Sequence, residues 1–265
     1  MSLRRVANEP EVHDLPSRSN RQRIAVWTST PEGDGPFPAL VLLHGVAAAG
    51  GHGWWVHGRA HETVAALQSA GFESPPVLIM PADTGTEMGT AWCDWKDGTT
   101  KAETWLVDEL MSWIPEELPV DDRRWVTGLS TGAYGGFRAA LRHPGLYSSA
   151  TGMSTVIHPL EMAQFVPMDH KRIWGNRRQI ARADLRVMIQ DSSARSGLRF
   201  ALDCGAEDPM ATANETLHNE LVANGVSHGY RTRPGGHNWD FWQSGLVDHI
   251  RFHAGVPNAL ESAGV

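Results

Sequence analysis

The stretch WVTGLSTGAYGGFRAALRHP, residues 125–144, constrains the fold more than any other part of the chain. Residues with strand propensity run directly into Gly128-Leu129-Ser130-Thr131-Gly132, and a helical pattern follows until His143-Pro144-Gly145 ends it. A strand that turns at once into a helix is the repeating unit of alternating architectures, in which a mostly parallel central sheet is flanked by helices on both faces. The rest of the chain keeps that rhythm. Short apolar runs predict strands at 23–28, 39–43, 77–80, 125–127, 149–153, 199–203 and 229–232, and amphipathic runs predict helices at 59–70, 101–117, 131–142, 211–223 and 238–252. With 265 residues, 41% of them hydrophobic, and no repeat or linker-like tract, the expectation is one α/β domain over residues 1–265. Residues 155–197 depart from the pattern. Their weakly periodic sequence reads as a cap-like helical or irregular insertion over the carboxyl edge of the sheet, where open α/β sheets bind ligands.

Charge and composition narrow the partners. A formal net charge of -7 with no block of like charges lacks the footprint of nucleic-acid binding. No segment approaches the roughly 18 apolar residues of a membrane span, and residues 1–23 lack the apolar run of a signal peptide. Two cysteines, Cys93 and Cys204, are too few for a disulfide framework, which fits a reducing cytoplasm, the expected location, and would also suit a secreted chain. The loop HGVAAAGG at 44–51 has neither a Gly-Lys-Ser/Thr ending nor G-x-G-x-x-G, which leaves nucleotide binding unsupported. The pairs His57/His61 and His249/His253 have helical spacing but no third ligand at a recognisable distance, and they read as solvated helix faces. Neither a metal nor a cofactor is expected.

A G-x-S-x-G pentapeptide between strand and helix is the nucleophile elbow of the α/β-hydrolase fold, a strained turn that exposes the serine oxygen. Glycines flank the serine because a Cβ there would collide with the adjoining strand or helix. The hydroxyl is a weak nucleophile unless a base takes its proton and a third group orients that base, and this fold supplies them downstream, acid first and histidine second. After the strand RFALD comes Cys204-Gly205-Ala206-Glu207-Asp208, and later RPGGHNWDFW, with His237 in a Gly-Gly loop before the final helix. Asp203 ends the strand and is committed to the sheet, Glu207 is expected to be solvated, and Asp208 is on the loop within reach of the histidine. The expected catalytic set is therefore Ser130 as nucleophile, His237 as base and Asp208 as acid. An ester carbonyl gains negative charge during attack, which calls for backbone donors. The N–H of Thr131 is one, and the small-residue loop after ALVLL supplies that of Val46 as the other. Trp54, Trp55, Trp92 and Trp95 fall in loops expected to border the site and shape a substrate pocket.

With these pieces in order, the sequence resembles the putative-esterase family of α/β-hydrolases, which includes S-formylglutathione hydrolases, feruloyl esterases and mycolyltransferases. The matching stretches are ALVLLHG, MPADTGTEMGTAWCDW, WLVDELMSWI, RRWVTGLSTGAYGGFRAALRHPGLYSSATGMS, DCGAED and GGHNWDFW, and they cover most of residues 36–252. The resemblance implies the same roles for Ser130, Asp208, His237, Val46 and Thr131, and cofactor-free cleavage of a small-molecule carboxylic ester or thioester. Its alternative implication is transfer of the acyl group to a sugar alcohol, as in the mycolyltransferases. Thr131 and Ala133 replace the methionine and second glycine of the usual Ser-Met-Gly-Gly, which changes the pocket edge but keeps the backbone donor. Leu129 stands where S-formylglutathione hydrolases usually have histidine, which points away from that subgroup.

Overall fold

A computed structural model describes residues 9–46, 50–84 and 89–260. Residues 47–49 of the loop after the predicted strand 39–43, residues 85–88 of the MPADTGTEMGTAWCDW stretch, and both ends of the expected domain lie outside the described residues.

Eight strands form one sheet: β1 (Glu11–Ser17), β2 (Gln22–Ser29), β3 (Phe37–Leu43), β4 (Val77–Pro81), β5 (Val120–Leu129), β6 (Ser149–Met153), β7 (Arg199–Gly205) and β8 (Gly229–Arg233). Their order is β1-β2-β4-β3-β5-β6-β7-β8, with β1, β2 and β4 paired antiparallel and the pairs from β4 through β8 parallel. Parallel strands are covered on both faces, and β3 shows why its sequence is apolar throughout: Ala39, Val41 and Leu43 enter one core cluster, Leu40 and Leu42 the other.

Against one face pack α1 (Gly51–Val56), α2 (Ala60–Ser69) and α10 (Trp239–His253) through Trp54, Val64, Leu67, Trp242, Leu246 and Ile250. The predicted helix 101–117 is made of α3 (Ala102–Thr104), a π-helical turn at Trp105–Leu110 and α4 (Met111–Glu117). It lies on the opposite face with α5 (Thr131–Arg142) and α9 (Ala211–Ala223). Between β6 and β7, residues 155–197 hold a 3-10 helix (Pro159–Gln164) and the short helices α6 (His170–Trp174), α7 (Arg177–Arg182) and α8 (Leu185–Gln190). The Tyr134 hydroxyl of α5 donates to the Ala183 carbonyl at 2.8 Å, tying this segment down. Among the described residues, no helix is long and apolar enough to cross a membrane.

One expectation is corrected: His249 and His253 are buried against the sheet, not solvated. His253 is hydrogen-bonded to the hydroxyls of Thr127, Ser149 and Thr151 and stacks on Trp125 with ring centroids 5.4 Å apart. Hydroxyls on two adjacent strands supply the polar partners that a buried imidazole requires.

Candidate active site

β5 ends at Leu129 and α5 begins at Thr131, so Ser130 alone makes the corner, at φ 54° and ψ -120°. That left-handed φ is strained for a residue with a side chain. Its neighbours leave room for it: a Cβ at Gly128 would lie 2.2 Å from the Gly132 carbonyl carbon, and one at Gly132 would lie 2.3 Å from the Leu43 carbonyl oxygen. Both glycines of the pentapeptide thus serve backbone-to-backbone contact.

Three side chains from separate segments converge. Ser130 Oγ lies 3.1 Å from His237 Nε2, and His237 Nδ1 lies 3.0 Å from each carboxylate oxygen of Asp208. Asp208 sits on the loop after β7, where the Met210 N–H donates to it at 2.8 Å. Burial pushes the Asp208 carboxyl up, but hydrogen bonds from His237, Ser154 and the Met210 N–H outweigh this and hold it below the usual carboxylate range. Asp203 is wholly buried and engaged by Arg231, Arg233 and His249, so it cannot serve His237. Glu207 is exposed and accepts the Gly235 N–H, while its own N–H donates to the Gly235 carbonyl at 3.1 Å. The loops that carry Asp208 and His237 are stitched together by these bonds.

Thr131 is the first residue of α5, and its N–H has no intrahelical acceptor. Val46 follows Gly45, whose hypothetical Cβ would lie 3.1 Å from that of Ser130. Among the described residues no hydrogen bond engages the N–H of Val46 or of Thr131.

The four tryptophans separate. Trp54 and Trp55 are in helix α1 rather than a loop; Trp54 is fully enclosed, edge-on to Trp239, and Trp55 stacks on His61. Trp92 is buried, with its Nε1–H donating to the His44 carbonyl at 3.0 Å. Trp95 lines a cavity of about 270 Å³ with Gly89, Pro167, Met168, Asp169, Arg172 and Ile173. Gly89 backs onto Val46: a Cβ there would lie 3.1 Å from Val46 Cγ1.

Sequence reasoning missed two aromatic neighbours of the histidine. Phe165 stacks on His237 with ring centroids 4.7 Å apart, and Trp242 meets it edge-on at 5.0 Å. The apolar pattern around Phe165 carries no periodicity that could have singled it out. Trp242 was legible only as one residue of a helix face.

The chain is similar to an acetyl esterase of Caldicellulosiruptor saccharolyticus, with 23% identity over 166 residues, covering 56% of this chain and 62% of that relative. The match thus spans less than two thirds of the relative's length. Among solved structures, a ferulic acid esterase superposes with a TM-score of 0.79 at 21% identity, covering 94% of this chain and 98% of that one. An S-formylglutathione hydrolase from Agrobacterium tumefaciens superposes with a TM-score of 0.79 at 17% identity, covering 96% and 98%. These likenesses show an α/β-hydrolase fold. A family model described as "Putative esterase" matches residues 17–253, and the chain belongs to that family.

Proposed function

We propose that the protein is a serine hydrolase that cleaves carboxylic esters or thioesters through an acyl-enzyme on Ser130. The observation that carries this reading is the unbroken hydrogen-bond chain from Ser130 Oγ through His237 to Asp208. With Asp208 ionised, Nδ1 of His237 keeps its proton and Nε2 is the free base facing Oγ. As Oγ attacks the carbonyl carbon, its proton passes to Nε2, and the new imidazolium is stabilised by Asp208. The N–H groups of Thr131 and Val46 donate to the oxyanion. Collapse of the tetrahedral intermediate breaks the bond to the alcohol or thiol, which takes the proton from Nε2. Water then attacks the acyl-enzyme by the same steps in reverse roles, releasing the acid and restoring Ser130.

Phe165 and Trp242 flank the imidazole and limit water around it. The cavity beside Trp95 adjoins Val46 through Gly89, which supports a compact acyl group lodged there. Names among the relatives, an acetyl esterase, a ferulic acid esterase and an S-formylglutathione hydrolase, support small carboxylic esters and thioesters as the substrate class. The test is to incubate the folded protein with a fluorophosphonate probe, map the adduct, and measure turnover of p-nitrophenyl acetate. A single adduct on Ser130 and loss of turnover in Ser130→Ala are expected; a folded protein left unlabelled at Ser130 overturns the reading.

A further inference from the structure

We infer that His44 is a positioning residue for the oxyanion corner: its Nδ1–H holds the Gly45 carbonyl and thereby turns the Val46 N–H toward the reacting group. The inference rests on the reading of Val46 as an oxyanion donor. His44 directly follows β3 and is buried, with Nδ1 2.7 Å from the Gly45 carbonyl oxygen. A carbonyl oxygen only accepts, so Nδ1 carries the proton. The Gly45 carbonyl and the Val46 N–H belong to one peptide unit, which is planar, and in a trans peptide the two bonds point in opposite directions. Anchoring the oxygen on one side therefore fixes the N–H on the other. That peptide stands beside the nucleophile, since a Cβ at Gly45 would lie 3.1 Å from Ser130 Cβ and 2.9 Å from Leu129 Cδ1.

The two proposed donors differ in what holds them. The Thr131 N–H is oriented by α5, in which Thr131 is the first residue. Val46 belongs to neither a helix nor a strand, so the direction of its N–H needs an external clamp. The imidazole is well fixed to act as one. Trp92 meets it edge-on with ring centroids 5.2 Å apart and donates its Nε1–H to the His44 carbonyl. Trp92 is in turn pressed onto α5, where a Cβ at Gly135 would lie 2.3 Å from Trp92 Cβ.

The second ring nitrogen supports the assignment. Nε2 of His44 is buried and has no hydrogen-bond partner among the described residues. The other tautomer would place an N–H there with no acceptor and set a lone pair of Nδ1 against the Gly45 oxygen. Burial also pushes the His44 imidazole down, against the pull of Asp83, which keeps the ring neutral. Packing alone does not account for the residue: a leucine or phenylalanine would fill the space but leave the Gly45 oxygen without a donor. What the imidazole supplies is the Nδ1–H.

Two amide substitutions separate donor from bulk. In His44→Asn the side-chain nitrogen can occupy the place of Nδ1, whereas in His44→Gln it reaches the place of Nε2 and leaves the Gly45 oxygen without its donor. Loss of one oxyanion donor costs about a hundredfold or more in kcat, and misdirecting it costs up to that much. His44→Gln is therefore expected to lower kcat on p-nitrophenyl acetate by about 10- to 100-fold with KM within about twofold. It should weaken inhibition by phenylboronic acid, which forms a tetrahedral adduct, by a similar factor. His44→Asn should retain kcat within about fivefold of wild type. Equal losses in both variants, or no loss in either, with circular dichroism showing the fold intact, would overturn the assignment. Should the Gln variant not fold, nitrogen-15 histidine spectra of the wild-type protein decide: a His44 ring protonated at Nδ1 is expected, and one protonated at Nε2 sinks the proposal. Wild-type turnover abolished by Ser130→Ala is the prior control; its absence refutes the hydrolase reading itself, and the role of His44 falls with it.

Discussion

Asp208 and Glu207 are adjacent carboxylates with different partners, and the contrast yields a test. Asp208 is buried on His237, while Glu207 is exposed on the Gly235 N–H. Replacing the orienting aspartate of a serine triad by asparagine keeps the geometry but reverses the histidine tautomer, at about four orders of magnitude in kcat. Asp208→Asn is therefore expected to lose roughly a thousandfold or more in kcat on p-nitrophenyl acetate, and Glu207→Gln less than about tenfold, with both folded. The reverse ranking in steady-state kinetics would transfer the acid role to Glu207. Ser130, Asp208 and His237 were legible as a converging set because backbone punctuation marks them: a Gly-flanked corner, a loop after a strand, and a Gly-Gly turn before a helix. His253 was not, because its partners Thr127, Ser149 and Thr151 are brought together only by strand pairing. The role of His44 was equally hidden, since a tautomer depends on a distance and not on a spacing.

At the scale of elements, the corner between β5 and α5 tolerates no added atom. Gly132→Ala would drive a methyl group to 2.3 Å from the Leu43 carbonyl oxygen. A displacement of β3 or α5 is the only relief, so the variant is expected to lose about 3 kcal/mol or more of stability, read as a depressed denaturant midpoint. The 155–197 segment is different in kind. Its Phe165 stacks on His237 and is only partly buried at the margin of the core, so Phe165→Ala is expected to raise KM severalfold and shift Tm by less than about 4 °C. A Tm loss with unchanged KM would make Phe165 a packing residue only. The alternation of strand and helix exposed most of the parallel sheet in advance because β3 and β4 are buried on both faces and apolar throughout, while β6 is buried throughout as a short run between turn signals. β1 escaped because an edge strand needs no such pattern: EVHDLPS is largely exposed and tolerates Pro16. The π-helical turn at Trp105–Leu110 escaped because one extra residue per turn leaves an amphipathic pattern nearly unchanged.

For the whole molecule, acid stability follows from its buried histidines. His44, His228, His249 and His253 are all buried, and burial pushes each below the ordinary histidine value. The unfolded chain takes up these protons near pH 6.5, before the folded one does. Stability is thus fully present above that pH and is lost as pH falls toward the depressed folded values, by up to about 1.4 kcal/mol per pH unit for each proton. Asp203 and Asp208 are also held low, and their contribution persists until the pH falls below about 4, so the histidines set the first loss. Tm is expected to fall between pH 7 and 5, with a shallower slope in His253→Gln; a Tm flat across that range would contradict the assignment of these rings as neutral.

The seam between β6 and β7 divides the three converging side chains, with Ser130 on the N-terminal side and Asp208 and His237 on the C-terminal side. The chain crosses that seam through the exposed turn at Ser196 and Gly197. A break there leaves two pieces that each lack part of the site, and their joining edges are the paired backbones from Ser149 opposite Arg199 to Met153 opposite Asp203. Two separately produced halves should be silent alone and hydrolyse an ester only on reassociation, so that the rate of colour development reports how often the halves meet.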